Sequence, residues 1–85
     1  MQPQRAAVTQ WISEYLINEL DLSSSQIDLD TDFDTYGLDS LEQAVMVGML
    51  EEAFDMEVEV NDMAKTPTIN GLVDSLVAQG LVLSA

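Results

Sequence analysis

The chain has 85 residues, 47% of them apolar, and sixteen acids against two bases give it a formal charge of −14. That is one domain spanning 1–85, with enough apolar residue for a compact core and too much for a disordered chain. Cysteine and histidine are both absent, which removes disulfides, thiol catalysis, thiolate metal sites and the commonest general base and zinc ligand.

Val8, Trp11, Ile12, Tyr15, Leu16 and Leu20 recur at steps of three and four, so the first element is a helix from about Pro3 to Glu19. Trp11 reads as core or core edge. From Asp21 to Asp39 no helical period survives. Leu22, Ile27, Leu29, Phe33, Tyr36 and Leu38 punctuate an acidic stretch instead, as pins that hold a long loop to the core. Ser23 to Ile27 suits a short helical turn. A second helix runs from Asp39 or Ser40 to about Phe54, capped by Asp39 with Glu42 three residues on. Met56, Val58 and Val60 alternate, but a lone strand has no partner here, so an extended link and a helical turn near Asn61 to Ala64 are expected. The last helix is capped by Thr66 or Thr68, entered at Pro67, and stopped by Gly80. Its face is Ile69, Leu72, Val73, Leu76 and Val77. The expected fold is all-α: a small bundle of three main helices and one short one, with a long loop between the first and second. No apolar run approaches a membrane span, and the N-terminus lacks a signal-peptide layout.

The aspartates of the loop invite a calcium reading, which fails on geometry. A frame starting at Asp28 places Asp30, Asp32 and Asp34 well, but Phe33 falls where an EF-hand loop needs glycine and Asp39 where it needs glutamate. A frame starting at Asp32 puts Gly37 correctly and then fails at Tyr36 and Gln43. No dedicated metal site is expected, only loose cation binding. The charge repels nucleic acid and points to basic protein surfaces or cations. What remains is Gly37 to Leu41: a turn, an anchor, a cap, and Ser40 at a helix start, where a phosphate ester would be electrostatically welcome. Serine is equally at home there as an ordinary capping residue.

The stretch FDTYGLDSLE, Phe33 to Glu42, resembles the modification site of acyl carrier proteins. Asp39, Ser40 and Leu41 match the Asp-Ser-Leu motif of that family, and the likeness in element order covers most of the chain. The resemblance implies a 4′-phosphopantetheine arm joined to Ser40 through a phosphodiester, supplying the thiol that the chain lacks. It further implies a carrier without catalysis of its own, monomeric and cytoplasmic. Its expected partners are a phosphopantetheinyl transferase, an acyl-loading enzyme and ketosynthase-type or other acyl-processing enzymes.

The second helix carries two apolar stripes. Met46, Leu50, Ala53 and Phe54 are expected to face the core. Leu41, Ala44, Val45 and Gly48, ending at Glu51 and Glu52, form a second stripe with no evident use inside so small a bundle. In the resembled family this helix meets basic patches on partner enzymes, so Glu42, Ala44, Val45, Gly48, Glu51 and Glu52 are the expected partner-binding residues. Carriers of primary fatty-acid synthesis typically have another glutamate where Val45 or its neighbours stand. Gly48 is a poor helix former that permits close approach by another surface. The sequence before Ser40 and Pro67 to Ile69 resemble carriers of polyketide and related specialised pathways, with primary fatty-acid synthesis second. The absence of a Gly-Gly-His-Ser-type sequence argues against a peptidyl carrier. The rival from another class is an acidic interaction module, or weak cation binder, that is never modified.

Overall fold

The computed structural model describes residues 2–58 and 68–83. Within them lie three helices and no strand: α1 (Arg5–Leu20), α2 (Ser40–Phe54) and α3 (Ile69–Ala78). Two 3₁₀ turns, Ser24–Gln26 and Phe33–Tyr36, interrupt the loop between α1 and α2. The first is the turn expected from the serine run; the second has no counterpart in the sequence reading. The helical turn expected near Asn61 to Ala64, and the entry at Pro67, lie outside the described residues.

Each helix is bounded by local chemistry. Asp39 and Thr68 accept hydrogen bonds from the amides of Glu42 and Gly71, so the cap expected at Asp39 is made and, of Thr66 and Thr68, it is Thr68 that caps α3. Helices α1 and α2 end on Asp21 and Asp55 in the left-handed conformation, at φ of 55° and 52°. A short polar side chain tolerates that region better than most, though glycine is the usual choice. Gly80, at φ of 77°, follows α3 where a stop was expected.

The core is built from Val8, Ile12 and Leu16 of α1, Met46, Val47 and Leu50 of α2, and Ile69, Leu72, Val73 and Leu76 of α3. Phe33 and Leu38 reach into it from the loop and are buried as completely as the helix residues. Burial of two such side chains contributes about 1.5–3 kcal/mol each. Ordering a loop costs roughly 1–2 kcal/mol per residue, so two pins do not hold nineteen residues by themselves. Hydrogen bonds complete the attachment. The Tyr36 hydroxyl both donates to the Asp28 carbonyl and accepts from its amide, at 2.7 Å each. At the far side the Asn70 amide donates to the Leu29 carbonyl, and the Asn70 side chain to Asp30. Leu29, Ile27 and Tyr36 pack on the core's edge as expected of pins, while Leu22 is half-buried.

Trp11 lies at the core edge, stacked on Tyr15 with ring centroids 5.5 Å apart and edge-on to Phe54 at 6.4 Å. Arg5 pairs with Asp74, joining α1 to α3. Among the described residues no helix is long and apolar enough to cross a membrane.

Candidate functional site

Ser40 is the first residue of α2 and is exposed. What holds it there can be followed backwards along the chain. Phe33 is buried at the start of the second 3₁₀ turn, and Gly37 ends that turn at φ of 95°. This is a conformation that a Cβ would strain, and it lets the Leu38 amide reach back to the Phe33 carbonyl at 3.1 Å. Leu38 is then buried and Asp39 takes the cap position. Asp39 Oδ1 accepts the Glu42 amide at 2.8 Å, and its carbonyl accepts the Gln43 amide at 2.9 Å. Underneath lies Gln43, the one buried polar side chain of the described residues. Its Nε2 donates to the Leu38 carbonyl at 3.1 Å and to Asp34 Oδ1 at 3.3 Å. The serine thus stands on a turn locked from below, with its own side chain in solvent.

The acids of the loop are largely occupied. Asp28 accepts the Asp30 amide, Asp30 accepts Asn70, Asp34 accepts Gln43, and Asp39 caps the helix. Among the described residues no cluster of three or more potential ligands could hold a metal ion. Their spacing serves turns and caps.

Of the expected partner-binding residues, Glu42, Ala44, Val45 and Glu52 are exposed and Gly48 is half-buried. An added Cβ on Gly48 meets no described atom within 4 Å, so nothing within the described chain requires glycine there. Glu51 departs from the expected outward flank: its Oε2 accepts the Val58 amide at 2.8 Å, tying the end of α2 to the chain beyond. Met49, 46% exposed, joins Leu41 and Val45 on the outer face and was missed. Ala53, expected inside, is exposed, and Val47, assigned to neither stripe, is buried. At roughly 100° per residue Gln43, Leu50 and Phe54 cluster within about 20° of one direction, Val47 lies about 40° from it and Ala53 about 80° away. Gln43 occupies the centre of the inward face, and a polar residue at that position was the available signal for it.

Beside Ser40, the second half of α1 faces the first half of α2 across a cavity of about 250 Å³. Tyr15, Glu19 and Leu20 line it from α1, and Leu38, Leu41, Glu42 and Val45 from the other side. Burial, with the charges of Glu19 and Glu42 behind it, raises the Tyr15 pKa above its ordinary value of 10.0, so the phenol stays protonated.

Residues 10–76 match the family model described as the phosphopantetheine attachment site. The acyl carrier protein TtuC of Teredinibacter turnerae is 33% identical over 72 residues, covering 85% of this chain and 83% of that protein. The acyl carrier protein of Streptococcus pneumoniae serotype 4 is 32% identical over 60 residues, covering 71% of this chain and 81% of that protein. Among solved structures, a free-standing peptidyl carrier protein from an uncharacterised secondary metabolic pathway of Acinetobacter baumannii superimposes with a TM-score of 0.74 at 32% identity. That match covers 89% of this chain and 95% of the other. That neighbour is named a peptidyl carrier, whereas the sequence around Ser40 here is Gly37 to Leu41, GLDSL, without a Gly-Gly-His-Ser-type stretch. The long pinned loop, the capped helix that follows it and the matched residues agree: this chain belongs to the phosphopantetheine-attachment family of carrier proteins, whose prosthetic group is a covalently attached 4′-phosphopantetheine.

Proposed function

We propose that Ser40 is the attachment residue, and that the chain carries acyl or polyketide intermediates for polyketide or related specialised biosynthesis. The observation that carries this reading is the mounting of Ser40. Its hydroxyl is exposed at a helix start and makes no hydrogen bond to a described residue, and the amides of Ser40 and Leu41 likewise lack backbone partners among the described residues. A phosphodiester on the serine oxygen fits there, because unpaired amides and the positive helix end both favour an anion. Other serines are less suited. Ser13 donates to the Thr9 carbonyl, Ser23 is engaged with Ser25 and Gln26, and Ser75 accepts from Gln79.

The arm would supply a terminal thiol, on which an acyl group is held as an activated thioester. This chain's part is to hold the arm at a fixed, exposed point and to offer a recognisable face beside it. Leu41, Val45 and Met49 are 73%, 52% and 46% exposed along one side of α2, with Glu42 and Glu52 exposed nearby. That mixture of apolar contact and negative charge suits partner enzymes with basic rims: a phosphopantetheinyl transferase first, then acyl-loading and ketosynthase-type enzymes. The chain would perform no chemistry itself and would work in the cytoplasm as a monomer. The lack of an acid at Val45 or its neighbours, where a carrier of primary fatty-acid synthesis typically has one, favours the specialised pathway, and the Acinetobacter neighbour's origin in a secondary metabolic pathway supports it.

The test is direct. Incubated with coenzyme A and a broad-specificity phosphopantetheinyl transferase, the protein should gain one phosphopantetheine by intact mass. Ser40→Ala should gain none while keeping its helical circular dichroism. Modification at Ser13, Ser23, Ser24, Ser25, Ser75 or Ser84 instead would overturn the assignment, and no modification at all would leave the acidic interaction module as the better reading.

A further inference from the structure

Met46 and Met49 stand one turn apart in the same helix and differ in what surrounds them. Met46 is fully buried, whereas Met49 is 46% exposed and is not among the residues packed on the core. Leu41, Val45 and Met49 follow one another at four-residue steps, so the thioether closes the outward stripe roughly 13–14 Å along the axis from Ser40. We propose that Met49 is a site of reversible oxidation by hydrogen peroxide, and that its sulfoxide loosens the hold of partner enzymes on α2. The proposal rests on the outward face of α2 being where those enzymes dock.

The protein has no cysteine, so before an arm is attached its thioethers are the groups most open to peroxide. The oxidant must reach the sulfur, which packing denies at Met46 and exposure allows at Met49, while Met56 is held against the edge of the core. Hydrogen peroxide is neutral, so a charge of −14 does not turn it away as it would an anionic oxidant. In the step itself a sulfur lone pair attacks one peroxide oxygen, an S–O bond forms and the O–O bond breaks. The departing hydroxide takes up the proton left on the transferred oxygen and leaves as water, so sulfur loses two electrons to the peroxide. The product is polar and chiral where the thioether was apolar and pliant. An interface of ordinary size covers about 800 Å² on each partner, wide enough to span the stripe from Ser40 to Met49. A partner surface shaped for Leu41, Val45 and Met49 would then strip water from a sulfoxide oxygen with no donor there to receive it. An unoxidised methionine suits such a face, because its flexible side chain repacks against each of several enzymes.

Peroxide treatment of the full chain without its arm, followed by peptide mapping, should add oxygen to Met49 well before Met46 while the helical circular dichroism persists. With a broad-specificity phosphopantetheinyl transferase, the oxidised protein should show a KM raised roughly three- to tenfold at nearly unchanged kcat, the mark of a lost docking contact. Methionine sulfoxide reductases acting on both sulfoxide epimers should return KM to its starting value. Met1 and Met63 lie outside the described residues, and Met49→Leu separates their effects: its KM should be the same before and after peroxide. Should Met49→Leu fail to fold, the change in KM tracked against oxidation of the Met49 peptide decides. Oxidation of Met46 as fast as that of Met49, or an equal rise in KM in Met49→Leu, would overturn the proposal. So would a KM that oxidation leaves unchanged while Val45→Glu raises it, an outcome that keeps the docking face. If neither change moves KM, the docking face falls with it.

Discussion

The two faces of α2 are built from similar residues and live in opposite surroundings. Met46, Val47 and Leu50 are fully buried with Gln43 among them, while Leu41, Val45 and Met49 are about half or more exposed. Hydropathy does not separate the faces; geometry does. The inward face has α1, α3 and the pinned loop against it and gains its stability from packing. The outward face stays outside the core, Leu41 and Val45 only edging the cavity against α1, and its apolar residues cost solubility in a chain that otherwise carries a large negative charge. An apolar residue on a helix is therefore poor testimony about where the core lies when both sides carry them, and the surplus side is the informative one.

Substitutions on each face should separate sharply. Leu50→Ala removes a fully buried side chain and should destabilise by about 2–5 kcal/mol, a large share of what a domain this small possesses. Its urea midpoint should collapse, or the helical signal should vanish outright. Gln43→Leu keeps the volume of the centre but leaves the Leu38 carbonyl without its donor, and should cost about 1–3 kcal/mol. Because that bond braces the residues before Ser40, the hydrogen-bonded amides of Gly37 and Leu38 should also lose hydrogen-exchange protection more than those of α3. Gly48→Ala should stabilise by about 0.5–1 kcal/mol in the same urea titration, since the added methyl meets no described atom and the helix gains backbone order. If it also slows acyl transfer to partner enzymes, the bare backbone at that position is kept for their approach. Val45→Glu should move stability by no more than about 0.5 kcal/mol while weakening transfer, because it would desolvate a charge against an apolar partner surface. A strong drop in the unfolding midpoint would erase the contrast between the faces and make Val45 core.

How far the sequence could be read follows from the same contrast. Helix α3 has a clean apolar face and a polar remainder, and Ile69, Leu72, Val73 and Leu76 were identified without error. In α2 a run from Ala44 to Leu50 without a polar residue leaves the period without contrast, and there Val47 was placed nowhere and Met49 overlooked, while Ala53 just beyond it was placed inside. Chemistry read better than periodicity. The caps at Asp39 and Thr68, and the anchors Phe33 and Leu38, follow from what an aspartate, a threonine or an isolated large apolar residue does in any chain. The second 3₁₀ turn was not read because its local bonds leave no periodic pattern in four residues, and Gln43 signalled its place only by being polar at the centre of the inward face, its partners Leu38 and Asp34 being brought under it by the folded loop. Ser40 needed both kinds of information, a helix start from the caps and a family likeness from the motif around it.

The short pairing near the chain ends has a mechanical meaning. Leu83 donates to the Pro3 carbonyl, and Gln4 and Leu83 form a bridge in the parallel sense. Segments that run the same way present opposite ends to anything that pulls on them, so tension applied through residues 2 and 83 would load this contact in shear rather than peel it apart. The bridge also lies at the opposite pole from Ser40, since the first turn of α1 is beside it and the last beside Leu41, a span of about 24 Å for sixteen helical residues. A surface tether, fluorophore or fusion partner joined at either end would hold the domain like a lamp by its base, with the serine facing away from the mount.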